Sequence, residues 1–146
     1  MKNLLICCSF LLLTSMTAFA QDGGIQFAEG SWEEVLRQAA EQNKLIFVDV
    51  YTDWCGPCKM MSRNVFPASE VGAFFNEHFI NYKMNAEKGE GPVFSRNYRV
   101  RAYPTLLFID GNGKVVHQAL GYHQNDPFLK LGESALRKAD SGKSSK

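Results

Sequence analysis

Apolar residues recur along the chain with two different spacings. From Trp32 to Ala40 they fall three and four positions apart, which is the spacing of an amphipathic helix. Ser31 and Glu34 have the spacing of a capping box, so we predict a helix that begins after Ser31 and ends near Gln42. From Lys44 to Tyr51, β-branched and aromatic residues occupy both faces of the segment. This pattern is typical of a central strand that is covered on both sides.

The rest of the chain alternates between helical and extended patterns. Gly111-Asn112-Gly113 predicts a hairpin turn, because these residues tolerate positive φ. Asp126 is the predicted N-cap of the last helix, with Pro127 at its first position. The pattern therefore predicts an α/β fold in which helices flank both faces of a central mixed β-sheet. We place further helices over residues 55–64, 71–79, 93–98 and 126–139, and further strands over residues 80–85, 105–110 and 114–120.

The first twenty residues have the pattern of a secretory signal peptide. Lys2 precedes a mostly apolar stretch, and Ala18-Phe19-Ala20 is a small-x-small cleavage signal before Gln21. The apolar stretch, about 10 residues, is much shorter than the roughly 20 residues of a membrane span. Lipidation at Cys7 or Cys8 and an uncleaved anchor stay open as alternatives. We therefore predict a signal peptide at 1–20, an N-terminal leader at 21–30, one folded domain at 31–139 and a flexible tail at 140–146.

Charge and cysteine content exclude several classes of function. The chain has 16 basic and 15 acidic residues, and Lys2 leaves with the signal peptide, so the net charge of the rest is near zero. Such a balance, without a basic patch, predicts no binding of nucleic acid. Of the 4 cysteines, Cys7 and Cys8 also leave. The remaining pair, Cys55 and Cys58, can form only one disulfide, whereas a disulfide framework has several, so we interpret it as a reactive pair.

The segment Trp54-Cys55-Gly56-Pro57-Cys58-Lys59 lies where the predicted central strand ends and the next helix begins. Amide donors and a partial positive charge at a helix N-terminus stabilise a thiolate, so we assign Cys55 as the nucleophile. Cys58 lies one turn further on the same face and is the predicted resolving thiol, which attacks Cys55 and releases a reduced target. Gly56 permits the close approach of a partner's backbone, and Pro57 stiffens the loop and removes one donor.

Two other uses of the cysteine pair stay open. The pair could form an inert structural disulfide, or it could supply half of a zinc site, which usually takes four ligands. The other candidate ligands, His78, His117 and His123, lie far away in sequence and lack ligand spacing. We expect these histidines to be surface or cap residues, and we expect neither a bound metal nor a cofactor.

Asp49 interrupts the apolar residues of the predicted central strand. A carboxyl group buried in a sheet has a raised pKa, so it can accept a proton from Cys58 or donate one to it. The alternative is that Asp49 faces solvent at the edge of the sheet.

Three motifs together resemble those of the thioredoxin superfamily: the segment 54–59, Val48-Asp49 ahead of it, and Tyr103-Pro104-Thr105 before a later strand. They occur at the spacing of that family, and the resemblance covers residues 31–139, which implies a thioredoxin fold. Within the superfamily, the chain is most similar to exported bacterial proteins, in particular to the soluble C-terminal domain of transmembrane thiol:disulfide interchange reductases. This similarity and the signal peptide predict a periplasmic location.

The resemblance also implies roles for single residues. Lys83 resembles the lysine that neighbours the buried acid, so it is either the partner of Asp49 or a plain surface lysine. Pro104 resembles the family's cis proline, which packs against the cysteine pair and leaves the backbone of Tyr103 free to pair with a bound strand; an ordinary trans proline is the alternative. We expect Trp54 to shield the site. Candidate substrate-binding residues are thus Trp54, Gly56, Pro57, Tyr103 and Pro104.

The sequence therefore predicts an exported thiol–disulfide oxidoreductase. The Gly56-Pro57 dipeptide implies, by resemblance, a place toward the reducing end of the family. We expect the protein to reduce protein disulfides, to receive electrons from a membrane thiol donor, to bind no nucleic acid and to be a monomer. A thiol oxidase or disulfide isomerase is one alternative. A binding or chaperone module without catalysis is another.

Overall fold

The computed structural model describes residues 23–144. The predicted signal peptide lies outside these residues, and among them no helix is both long enough and apolar enough to span a bilayer. The helices are α1 (Trp32–Gln42), α2 (Gly56–Met60), α3 (Ser69–His78), α4 (Gly91–Asn97) and α5 (Asn125–Ser144), and a π-helical turn (Met61–Val65) directly continues α2. The strands are β1 (Leu45–Tyr51), β2 (Phe79–Asn85), β3 (Thr105–Ile109) and β4 (Val115–Leu120).

The strands form one sheet in the order β2-β1-β3-β4. Strand β1 pairs with β2 in parallel and with β3 antiparallel, and β4 pairs antiparallel with β3. This arrangement confirms the predicted mixed sheet with β1 in a central position. The predicted capping box is also present, since Ser31 Oγ accepts from the amide of Glu34 and the Glu34 carboxylate accepts from the amide of Ser31.

The two faces of the sheet bury separate apolar clusters. Even-numbered residues of β1, such as Val48, pack with α1 and α4 on one face. Odd-numbered residues, such as Phe47, pack with α3, α5 and the π turn on the other face. Because side chains alternate along a strand, Asp49 belongs to the same face as Phe47. The central strand thus carries a carboxyl group on the face that the cysteine-bearing helix covers.

Several predicted element boundaries were wrong. The helix predicted over 55–64 is a short α-helix followed by a π turn, so its hydrogen-bond register changes after Met60. Helix α5 begins at Asn125, so Asp126 lies in its first turn and is not the N-cap, and it continues to Ser144 rather than ending at Ala139. In the hairpin turn, Gly113 has positive φ, whereas Gly111 has not.

The segment 23–28, which the sequence placed in a leader ahead of the domain, packs against the domain. The amide of Ile25 donates to the carbonyl of Phe66 (2.7 Å), and the amide of Ala28 donates to the carbonyl of Asn81 (2.8 Å). Phe27 forms an isolated parallel bridge with Asn81 in β2. The segment therefore extends the sheet briefly beyond β2, which is otherwise the edge strand.

Candidate active site

Cys55 and Cys58 form a disulfide at the start of α2. Their Cα atoms lie 5.3 Å apart, within the usual range for a bonded pair. Cys55 is the N-cap of α2, and its Sγ accepts a hydrogen bond from the amide of Cys58 at 3.2 Å. Because this amide and the positive end of the helix dipole face Sγ of Cys55, a thiolate at this position is stabilised. This geometry is compatible with Cys55 as the nucleophile and Cys58 as the resolving thiol, and both roles remain predictions.

Exposed residues surround a disulfide that is itself little exposed. Cys55 and Cys58 are each 3% exposed, whereas Trp54 is 65% exposed and Gly56 and Pro57 are also exposed. A Cβ built on Gly56 would meet no atom within 4 Å, so the surface beside it is open. A partner that reaches this disulfide therefore meets Trp54, Gly56 and Pro57 first.

The loop before β3 lies beside Trp54. The Tyr103-Pro104 peptide bond is cis, and Pro104 is buried. The rings of Trp54 and Tyr103 meet edge to face with centroids 5.9 Å apart. The indole N–H of Trp54 donates to Glu87 Oε1 at 3.0 Å, which fixes the ring from its other end. The structure thus brings Trp54 and Tyr103, from two separate motifs, into contact, and it adds Glu87, which no sequence pattern indicated.

Asp49 lies fully buried in the sheet beside Lys83. The parallel register of β1 and β2 pairs these two residues directly, and Lys83 Nζ donates to Asp49 Oδ2 at 2.9 Å. Burial raises the pKa of the Asp49 carboxyl, and the charge and hydrogen bond of Lys83 oppose that rise. Asp49 is 0% exposed and the Lys83 side chain 29%, so neither faces solvent at a sheet edge as an ordinary surface residue does.

A cleft of about 240 Å³ is lined by one member of the ion pair and one member of the cysteine pair. Cys58 and Lys83 both line it, together with Thr52, whose hydroxyl is buried and has no hydrogen-bond partner among the described residues. Lys83, the ion-pair partner of Asp49, and Cys58, the predicted resolving thiol, therefore border the same space.

Three aromatic rings surround the Lys83 ammonium, and the sequence did not identify them. The distances from Lys83 Nζ to the ring centroids are 4.7 Å for Tyr51 and 5.1 Å for both Phe27 and Phe66. These rings come from β1, from segment 23–28 and from the end of the π turn. The one signal in the sequence is the alternation of Ile25 and Phe27 with polar or small neighbours, which indicates a short strand.

The histidines stand apart from the cysteine pair. His123 Nδ1 lies 3.0 Å from the carbonyl of Gly121, and His117 Nδ1 lies 2.8 Å from Lys138 Nζ. In residues 23–144 there is no group of at least three histidine, cysteine, aspartate or glutamate side chains that could hold a metal ion.

The mixed sheet with a Cys-Gly-Pro-Cys pair at the start of a helix defines a redox-active α/β domain of the thioredoxin type. The chain belongs to the thioredoxin-like domain family, whose sequence model matches residues 32–136. This family and the bonded pair Cys55–Cys58 support thiol–disulfide oxidoreductase chemistry at this site.

Among curated relatives, the chain is similar to the thiol:disulfide interchange protein DsbD of Pseudoalteromonas atlantica, with 29% identity over 72% of this chain and 18% of that protein. It is also 32% identical to thioredoxin-T of Drosophila melanogaster, over 63% of this chain and 54% of that protein. The chain thus spans about a fifth of the first relative and about half of the second.

Solved structures give the same fold. The solution structure of a proposed disulphide-isomerase from Bacteroides thetaiotaomicron is 47% identical, with a TM-score of 0.70, over 80% of this chain and 97% of that one. The oxidised C-terminal domain of Neisseria meningitidis DsbD, at 23% identity, has a TM-score of 0.62 over 75% of this chain and 98% of that one, which shows the fold alone.

Proposed function

We propose that this protein is a periplasmic thiol–disulfide oxidoreductase that reduces disulfides in client proteins. The observation that carries the proposal is the Cys55–Cys58 disulfide, which lies at a helix start beside open surface at Gly56. Membership of the thioredoxin-like family supports the class of chemistry. The export signal in the sequence supports the location.

The proposed cycle starts from the dithiol. The Cys55 thiolate attacks a client disulfide, a mixed disulfide forms, and one client sulfur leaves as a thiolate that takes up a proton. Asp49, whose partner Lys83 lines a cleft with Cys58, then accepts the proton of Cys58. The Cys58 thiolate attacks Cys55 Sγ, the second client sulfur leaves as a thiolate that takes up a proton as Asp49 releases one, and the enzyme holds the Cys55–Cys58 disulfide. A membrane dithiol donor then reduces this disulfide by the reverse exchange; it supplies two electrons and two protons and becomes a disulfide itself.

The local geometry supports a reducing rather than an oxidising enzyme. A strongly oxidising member needs a reduced form that is well stabilised, which requires several donors to the Cys55 thiolate. Here Pro57, in the first turn of α2, carries no N–H, and the hydrogen bond seen at Cys55 Sγ comes from Cys58. A Cys55 thiolate with few donors makes the reduced enzyme less stable relative to its disulfide form. The enzyme therefore tends to become oxidised, and its electrons pass to the client.

The test is to trap clients with a Cys58→Ala variant. Without the resolving thiol, mixed disulfides should accumulate on Cys55 and should be released by an added thiol reductant. The matched control is Cys55→Ala, which keeps Cys58 but should trap far fewer partners. Equal trapping by the two variants, or no mixed disulfides with either, contradicts the proposed exchange.

Disulfide isomerisation is a second candidate, because a protein of that description shares 47% sequence identity over most of this chain. Equilibration with glutathione distinguishes the two. We expect a potential below about −230 mV for a reductase, whereas a value near −180 mV or higher favours isomerase or oxidase activity. Reactivation of a scrambled disulfide protein, measured in parallel, should be slow for a reductase.

We further propose that the protein is exported as a monomer. Its N-terminal sequence, determined on protein from a periplasmic extract, should begin at Gln21. Light scattering on that protein should give the mass of one chain. Recovery of an intact N-terminus in the membrane fraction supports an uncleaved anchor instead.

A further inference from the structure

The Lys83 ammonium contacts groups from three parts of the chain: β1, segment 23–28 and the π turn with Phe66 at its end. Besides the salt bridge to Asp49, Lys83 Nζ donates to Ser62 Oγ at 3.1 Å, and Ser62 lies in the π turn. The rings of Phe27, Tyr51 and Phe66 lie within the distance at which a cation is attracted to a ring face. We call Phe27, Tyr51, Phe66 and Ser62 the ammonium cage.

Phe27 is the member of the cage that comes from outside the predicted domain, and its position is fixed on both sides. The amide of Gln26 donates to Asn76 Oδ1 at 2.9 Å, and Asn76 Nδ2 donates to the carbonyl of Gly24 at 2.9 Å. Gly72 permits the close approach, because a Cβ there would overlap the backbone of Gly24. Segment 23–28 is therefore anchored to α3 and β2 at several points around Phe27.

The cage decides where the ammonium group can lie. A lysine side chain has a flexible stem and a strongly hydrated head, so a salt bridge alone does not keep it against a buried carboxylate. The rings replace part of its lost hydration, and the Ser62 hydroxyl accepts one of its hydrogens. Together with these contacts, the Asp49 carboxylate completes the surroundings of the ammonium group on its buried side, while the Lys83 side chain keeps 29% of its surface exposed.

We propose that the ammonium cage positions Lys83 on Asp49, and that segment 23–28, through Phe27, is thereby part of the proton-exchange apparatus of the enzyme. This inference deepens the proposed function and rests on it for the role of the proton. In this proposal the cage residues are positioning residues, which act through Lys83 and Asp49 and not by contact with the reacting sulfurs.

Other charged and titratable groups face the same region. Asp53, Lys59, Arg63 and Cys58 line the cleft with Lys83. On the side of segment 23–28, the lining of a second cavity, about 350 Å³, contains Lys83 as its one titratable residue. Variants at Phe27 therefore change the surroundings of Lys83 without removing a charge from the cleft.

The test compares Phe27→Leu, which removes the ring and keeps an apolar side chain, with Phe27→Tyr, which keeps the ring. The control is Phe74→Leu, since Phe74 is a partly buried ring that packs against Phe75, His78 and Phe79 and not against Lys83. The first measurement is the titration of the Asp49 carboxyl group, monitored by ¹³C NMR on the oxidised protein. The second is the pH dependence of release of a mixed disulfide preformed on Cys55.

We expect Phe27→Leu to move the Asp49 midpoint upward by about 0.5 to 1 pH unit. The pH dependence of release should move by the same amount. Phe27→Tyr and Phe74→Leu should leave both midpoints in place. In a Lys83→Met background, Phe27→Leu should add no further shift, because the cation that the ring positions is already gone. Ser62→Ala, a change at an exposed residue, should also move the midpoint upward, and it keeps the test open if Phe27→Leu does not fold.

An unchanged Asp49 midpoint in Phe27→Leu and Ser62→Ala overturns the proposal, even if Phe27→Leu is less stable. A full additional shift in the Lys83→Met background also overturns it, because the ring would then act without the cation. If the midpoint moves but Cys58→Ala traps no client, the cage is supported and the proposed function fails.

Discussion

Replacement of Lys83 by methionine tests what the buried ion pair contributes, because it removes the cation and leaves Asp49 in place. Methionine keeps an unbranched side chain of similar length but carries no charge. Asp49, which is 0% exposed, then loses the cation that lies 2.9 Å from its Oδ2 atom. Burial already raises the pKa of Asp49, and Lys83 opposes that rise, so the variant should have a still higher Asp49 pKa.

The sign of the pH dependence follows from that direction. A group whose folded pKa lies above its unfolded value contributes stability that is fully present below the unfolded pKa, about 3.9 for aspartate, and lost as pH rises through the folded pKa. At pH 4, the substitution should therefore cost mainly the ring contacts of Lys83, about 0.5–1 kcal/mol. At pH 7 it leaves a buried carboxylate without its partner, which costs about 3–5 kcal/mol.

The difference between the two pH values, about 2–4 kcal/mol, is within the limit that one group can produce, about 1.4 kcal/mol per pH unit. The assay is urea unfolding of the oxidised protein at pH 4 and pH 7. A double variant, Lys83→Met with Asp49→Asn, is the control, because it has no carboxyl left to titrate and should lose little additional stability at pH 7. An equal loss of stability for Lys83→Met at both pH values refutes the coupling between Lys83 and Asp49.

Three further substitutions test the packing and the charges elsewhere. Phe75→Ala removes a ring that is 0% exposed and should lower the free energy of unfolding by about 3–5 kcal/mol in urea; a loss below about 1 kcal/mol contradicts its place in the core. Gly111→Ala places a Cβ 2.7 Å from Cα of Ala40 in α1 and should cost about 1–3 kcal/mol by thermal unfolding, whereas an unchanged melting temperature contradicts this contact. Burial and the charge of Lys138 lower the pKa of His117, so its contribution is present above the unfolded pKa, about 6.5, and lost as pH falls through the folded pKa. His117→Gln should abolish that loss of stability between pH 7.5 and 5, measured as the melting temperature at each pH. The same decrease in melting temperature for both proteins contradicts the prediction.

The predictions that the structure confirms depend on short stretches of chain. The capping box at Ser31 and Glu34 forms within one helical turn. The continuous apolar run of β1 predicts a strand that is covered on both faces, whatever its neighbours are. Met60 and Met61 illustrate the limit of such local patterns, because they are adjacent and only the fold decides that Met61 is fully buried while Met60 is 45% exposed.

The π turn and the start of α5 were missed for a related reason. No local pattern in Met61–Val65 indicates a wider hydrogen-bond register. Its buried residues, Met61 and Val65, belong to the apolar cluster that also contains residues of β1 and α5. In the same way, Asp126 and Pro127 fit an N-cap and a first position, yet the helix starts one residue earlier, at Asn125. A shift of one residue lies within the range over which helix ends vary.

The sequence by itself determined the chemistry: two cysteines in Cys-x-x-Cys spacing where a strand ends and a helix begins, and one carboxyl group inside an apolar strand. The tertiary structure alone decided what surrounds that carboxyl group. The register between β1 and β2 places Lys83 beside Asp49, although 34 positions separate them. Segment 23–28 brings Phe27 to the same ammonium group. Reactive residue types and capping patterns depend on a few neighbouring residues, so they can be recognised in the sequence. Strand register and ring contacts join distant segments, so they are determined only when the whole core packs.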